Sequence, residues 1–254
     1  MGAAAQINQW VTICHASTGK LAAKVKVSKD EVSGFVFSSR TGELIRSSWC
    51  NEIEIIDPVT GKLKEPLRPA ANTHMVKCIR FTSDERKLVA VWSAQDTPTK
   101  RNCTIWSWPD RVTLTEFDIF EENVSDLAVS PDGQVCAISF GSYYSKKKSE
   151  GVHFVDLSSG KILITVSQET PWKLAFTPRE GILIAPSKAT SDDINCSFIE
   201  PKNGTTIAKM AIPGGVCELS VSNDGKYLAA ATAFGGAMVW NLAPIISGAS
   251  SKHT

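Results

Sequence analysis

The chain has no apolar run approaching the roughly 18 residues that cross a bilayer as a helix, and its 254 residues carry a formal net charge of only +1. The first excludes a helical membrane span; the second removes any global electrostatic reason to expect nucleic acid or a membrane surface. The start, Met1-Gly2-Ala3-Ala4-Ala5-Gln6, lacks the basic and apolar regions of a secretory signal. Gly2 would suit N-myristoylation, but Gln6 stands where that signal prefers Ser or Thr. The four histidines, His15, His74, His153 and His253, are dispersed, and no pair has metal-ligand spacing. Neither a Gly-x-Ser-x-Gly elbow nor a phosphate-binding glycine loop nor a metalloprotease helix occurs. No catalytic residue, cofactor site or metal site is therefore assigned, and the chain is expected not to be an enzyme.

Cysteine is present seven times, an odd number, without a Cys-x-x-Cys pair. Most of these cysteines sit in apolar strand-like runs, where a free thiol behaves as a small hydrophobe. That usage fits a reducing compartment, the cytoplasm or nucleus. The sequons at Asn102, Asn123, Asn195 and Asn203 are then chance products of a Ser/Thr-rich chain.

What is there is a repeat. One seven-residue pattern occurs at Val32–Ser38, Val76–Thr82, Val124–Ser130, Pro171–Thr177 and Val216–Ser222. Its fourth and sixth positions are always large and apolar (Phe35/Phe37, Ile79/Phe81, Leu127/Val129, Leu174/Phe176, Leu219/Val221), the period-two signature of a buried strand. The starts are 44, 48, 47 and 45 residues apart, the length of a four-stranded unit. A polar turn follows each time, as in Pro131-Asp132-Gly133 and Asn223-Asp224-Gly225, then a second apolar strand. A third strand ends in an apolar-then-polar step (Ile56-Asp57, Val155-Asp156, Ile199-Glu200, Trp240-Asn241), and a turn and outer strand close the unit.

Val129-Ser130-Pro131-Asp132-Gly133 and the Trp-Asp-like ends of the third strands resemble WD40 repeats over residues 10 to 243. No unit keeps a literal Trp-Asp, and the Gly-His dipeptide of that family is absent. The resemblance implies an all-β fold, a β-propeller of four-stranded antiparallel blades, with about five blades plus an extra N-terminal strand. An open or six-bladed ring is the alternative. The chain reads as one domain with units at 1–31, 32–75, 76–123, 124–170, 171–215 and 216–243, and a flexible tail at 244–254. Without the family's Asp-His-Ser/Thr-Trp tetrad the blades must rely on packing. Residues 21–27 are the expected outer strand of the last blade, which leaves residues 7–15 as a surplus third strand and the seam ambiguous. An unpaired edge there invites a second copy or another polypeptide to complete the ring.

Loop length marks the expected functional face. The loops between second and third strands are long at Ser93–Asn102, Gly141–Glu150 and Ser187–Asn195, and the segment Pro66–Met75 opens on the same face. Together they hold Arg68, His74, Lys100, Arg101, Tyr143, Tyr144, Lys146, Lys147, Lys148 and Lys188. A locally basic surface with tyrosine anchors suits an acidic or phosphorylated peptide; Asp192 and Asp193 dilute it, and nucleic acid is disfavoured. The expected function is a non-enzymatic protein-interaction scaffold or assembly subunit. The alternatives are a carbohydrate-binding propeller, which should repeat the same polar residues at each inter-blade cleft, and a propeller hydrolase, which needs acids or histidines converging on the axis. Tryptophans default to core packing, although Trp172, at the mouth of a first strand, could line a central opening.

Overall fold

The computed structural model describes residues 2–7, 9–15, 17–27, 32–48, 52–69, 74–94, 101–119, 124–141, 150–168, 171–187, 193–232 and 236–250. They form two compact units, residues 1–120 and 121–254, each taken by itself below.

In the first unit, the N-terminal sheet is β1 (Gly2–Ile7), β2 (Trp10–His15) and β3 (Leu21–Lys26), antiparallel in that order. The first repeat gives β4 (Val32–Phe37), β5 (Leu44–Ser48) and β6 (Ile53–Ile56); the second gives β7 (His74–Phe81), β8 (Lys87–Ala94), β9 (Arg101–Ser107) and β10 (Thr113–Ile119). In place of an outer strand, the first repeat makes single bridges from Ile56 to Leu63 and from Ile53 to Leu67. The alternation of β5 explains the stacking. Leu44 and its cross-strand neighbour Ile56 pack on Val11, Ile13 and Val25 of the N-terminal sheet. Ile45, Ile53 and Ile55 pack on Ile79, Ala90, Trp92 and Trp106 of the second repeat. Buried on both faces, β5 still holds Arg46, fully buried and ion-paired with the nearly buried Glu54 directly opposite on β6.

The second unit contains β11 (Val124–Val129), β12 (Val135–Phe140), β13 (Gly151–Asp156) and β14 (Ile162–Ser167), followed by β15 (Ala175–Phe176), β16 (Leu183–Pro186), β17 (Asp193–Ile199) and β18 (Thr206–Pro213). The fifth repeat supplies only β19 (Val216–Val221), β20 (Tyr227–Thr232) and β21 (Ala237–Asn241). Phe154 and Val152 meet Leu183, Ala185 and Ile199 across one sheet interface. Ile184, Cys196 and Phe198 meet Leu219, Leu228 and Ala230 across the next. Each of the five repeats thus builds one blade-like antiparallel sheet, three of them four-stranded.

Three expectations change. Residues 21–26 are not an outer strand of the last blade: β3 pairs with β2, because a hairpin closed by the four-residue turn after Ala16 costs far less loop entropy than a partner two hundred residues away. The surplus strand is itself one of three, since Gly2–Ile7 adds β1. Of the 244–254 tail expected to be flexible, residues 244–250 instead lie in α1 (Ala243–Ser250), in which Ile245 and Ile246 cover the core between the fourth and fifth repeats, and residues 251–254 lie outside the described residues. Asn241 caps it, its side-chain oxygen accepting the Ala243 amide at 2.9 Å.

Among the tryptophans, Trp92, Trp106 and Trp108 are core residues, whereas Trp10 and Trp172 are about half exposed. Among the described cysteines, Cys78, Cys103, Cys136 and Cys196 are buried and Cys217 is exposed. Burial pushes the Cys196 thiol up to about 12, so it stays a protonated packing group.

Candidate functional site

The first turn of each repeat explains the constant Ser or Thr at the seventh position of the pattern. In the third repeat, Ser130 donates to Asp132 Oδ1 at 2.6 Å, that oxygen accepts the Gln134 amide, and Ser130 Oγ accepts the Val135 amide. Ser222 with Asp224 and Thr82 with Asp84 repeat the arrangement. The Ser130, Ser222 and Thr82 hydroxyls, followed by the Gln134, Lys226 and Arg86 amides, hold these three carboxyls below the usual carboxylate range. The next residue is left-handed: Gly133 at φ 67°, Gly225 at 72°, but Glu85 at 50°. A non-glycine residue there costs of order 1 kcal/mol or more.

Glu85 uses that awkward position. The first repeat has Arg40 where the second, third and fifth have their capping Asp, and Glu85 supplies the missing carboxylate from the second repeat. Its Oε1 accepts the Ser39 amide (3.1 Å) and hydroxyl (2.7 Å), and its Oε2 accepts the Ser38 hydroxyl and the Arg40 amide, both at 3.0 Å. Trp108 Nε1 donates to the same Ser38 Oγ at 3.0 Å. Burial alone would push the Glu85 carboxyl up, but the Ser39 hydroxyl, the Arg40 and Ser39 amides and the Ser38 hydroxyl outweigh it and hold the group low. Beside it, the nearly buried Glu43 takes Lys64 and Arg111, each at 2.7 Å.

Similar ties occur in the second unit. Asp126 Oδ2 accepts the Leu174 amide at 3.0 Å, joining the third repeat to the fourth, and Lys173 meets Glu218 at 2.9 Å, joining the fourth to the fifth. The expectation that blades without the tetrad hold by packing alone is therefore corrected. Polar groups at the third position of the pattern and in the first turn do part of that work. These residues were not singled out from sequence because their partners lie 45 to 48 residues away.

Among the described residues, a cleft lies between successive sheets at equivalent places in each unit. In the first it has a volume of about 520 Å³, with walls of Ile13, Leu21, Phe37, Pro58 and Val59. Cys14 and His15 line one side and Ser39 and Glu85 the other. His15 stands where other repeats place an acid that caps the following turn. Its backbone makes the same bonds as Asp57 (His15 N to Lys20 O, 2.9 Å; Asp57 N to Lys62 O, 2.9 Å). Asp57 and Asp156 use their carboxylates on turn amides; the imidazole instead lines the cleft, exposed. The second unit's cleft, about 600 Å³, is lined by Asp132, Arg179, Glu180, Glu200 and Lys202, charges of both signs.

At the surface, the Ser158 and Ser159 hydroxyls and the Ser159 amide lower the Asp156 carboxyl to about 2. Its folded value lies below the unfolded one near 3.8, so the associated stability is complete above about pH 5 and disappears as the pH falls toward 2. Carboxyl-detected NMR titration should find the Asp156 midpoint near 2; a midpoint near 4 would show that the turn does not hold its carboxylate.

Of the surface expected from sequence, Arg68 is described fully: it is exposed and pairs with Glu52 at 2.6 Å, a contact worth under about 1 kcal/mol. His74 begins β7 and Arg101 begins β9. Lys100, Tyr143, Tyr144, Lys146, Lys147, Lys148 and Lys188 lie outside the described residues. Trp172 stands at the entry to the fourth repeat's first strand, 46% exposed. Among the described residues no three His, Cys, Asp or Glu side chains gather as a metal site, and no helix is long and apolar enough to cross a membrane.

No protein-family model and no curated protein matches the chain. Solved structures do: a chain of hydrazine synthase from Kuenenia stuttgartiensis superimposes with a TM-score of 0.75 at 15% identity, covering 92% of this chain and 78% of that one. At that identity the likeness shows the fold alone, and the fold is an all-β propeller of antiparallel blades.

Proposed function

We propose that the chain is a non-enzymatic, WD40-like interaction module, a scaffold or subunit of a larger assembly, working in the cytoplasm or nucleus. One observation carries this reading: the last blade is unfinished. The fifth position of the repeat pattern begins a cross-strand row in every sheet. In the third repeat the row is Ala128–Ala137–Phe154–Ile164, and in the fourth Ala175–Ile184–Phe198–Ala208. Both rows pack on the sheet that follows. The fifth repeat's row is Ser220–Ala229–Val239, and Val239 is 68% exposed. Alongside it Ala231 and Ala237 are also exposed, and among the described residues β21 ends its sheet without a fourth strand. Its Ala-Met-Val-Trp-Asn sequence has none of the charge or proline that blunts an edge strand. A partner polypeptide laid on this face and edge completes the blade. The three long loops, with Arg68, His74, Arg101 and the lysines and tyrosines around them, offer a second contact for an acidic or phosphorylated segment.

The perturbed aspartates support binding over catalysis, since hydrogen bonds within turns occupy Asp57, Asp84, Asp132, Asp156 and Asp224. The two clefts share position but not polar lining, which speaks against the repeated pockets of a carbohydrate-binding propeller.

A photo-crosslinking side chain at position 239 should capture a polypeptide in cells, whereas one at Leu163, also an exposed apolar strand residue, should not. Light scattering of the purified chain against 27.5 kDa tells a second copy from another protein. Val239→Glu should weaken capture tenfold or more, about 1.4 kcal/mol, while changing stability by no more than about 0.5 kcal/mol. If position 239 crosslinks to no polypeptide, the reading fails.

A further inference from the structure

The chemistry of the first unit's cleft is one-sided. We propose that the cleft binds an amphipathic organic cation, a compact aromatic or branched apolar body carrying an ammonium group. Its volume, about 520 Å³, lies in the range of small-molecule sites, and apolar walls with a few polar groups are their usual composition. Val59 forms part of the wall although it sits at a turn tip and is 84% exposed; the corresponding turn of the fourth repeat carries Lys202. His15 replaces a turn-capping acid and so brings no carboxylate to cap its own turn.

Charge decides the class of ligand. Glu85 is the one carboxylate among the described residues lining this cleft, and neither Lys nor Arg lines it. All four of its hydrogen bonds come from neutral donors, two hydroxyls and two amides. They fix the carboxylate without cancelling its charge, so the cleft keeps a negative field against low-dielectric walls. The ammonium group is held by that field while the apolar body displaces water from Ile13, Leu21, Phe37 and Val59. The cleft of the second unit mixes Arg179 and Lys202 with Asp132, Glu180 and Glu200, and selects no sign of charge. A left-handed glutamate where two other turns use glycine is a local cost that places this one charge.

The test compares three probes of nearly equal size, 2-phenylethylammonium, 2-phenylethanol and phenylacetate, by methyl NMR of the full chain. The Ile13, Leu21 and Val59 methyls should shift with the cation and the alcohol, the cation binding about tenfold more tightly and phenylacetate most weakly. Glu85→Gln should bring the cation and the alcohol to equal affinity. If that variant fails to fold, the exposed Val59 carries the test: Val59→Glu should tighten the cation and Val59→Lys weaken it, each severalfold. The proposal is overturned if phenylacetate binds as well as the cation, if the cation preference survives Glu85→Gln, if the two Val59 variants behave alike, or if none of the three methyls responds.

Discussion

Glu54→Leu should destabilise the first unit by about 3–5 kcal/mol, and Arg46→Met by a similar amount, while the double variant recovers most of the loss. Arg46 is fully exposed to nothing but protein and Glu54 is nearly so. Removing either leaves a buried charge without this ion-pair partner in a site flanked on the same face of β5 and β6 by Leu44 and Ile56. The desolvation cost of the survivor exceeds anything a well-packed methyl group returns. Replacing both removes that cost together with the Coulombic gain, and buried pairs replaced by hydrophobic residues are often neutral or better. Urea unfolding of the four corners of the cycle, read by amide protection on β5, measures it. Additive single-variant losses would mean that the pair is solvated in solution.

Trp92 should separate two effects of comparable size. Trp92→Ala opens a cavity among Ile45, Ile79 and Trp106, whose ring meets Trp92 edge-on at 5.9 Å, and should cost about 3–5 kcal/mol. Trp92→Phe loses less volume and also removes a buried indole N–H that has no hydrogen-bond acceptor among the described residues. An unsatisfied buried donor costs about 1–3 kcal/mol, so the two terms nearly cancel and the Phe variant should lie within about 1 kcal/mol of the parent. Chemical denaturation of both variants decides. A Phe variant as unstable as the Ala variant would show that the indole nitrogen is satisfied in solution.

The repeat, its strand order and the identity of the core residues were legible in the sequence. Alternation along Val124–Val129 places Leu127 inward, and Leu127 is fully buried. Burial of an apolar residue in a strand depends mainly on its immediate neighbours and on period two, both local in sequence. The surface predicted from loop length was legible only as composition, and most of its residues lie outside the described ones. The cleft was not legible at all. Glu85 reads as an ordinary turn residue, and His15 as the polar end of a third strand; what they share is a space between two sheets.

The sequence by itself determined that this chain builds successive antiparallel blades of 44 to 48 residues, because hydrophobic period, turn chemistry and hairpin closure all act over a few residues. Only the tertiary structure decided how many strands each blade has and which strand begins the chain. It also decided that α1 packs on the core between the fourth and fifth repeats and that Val239 is exposed. Those outcomes depend on competition between partners far apart in the chain, where packing and loop entropy choose among pairings that the local pattern makes equally acceptable.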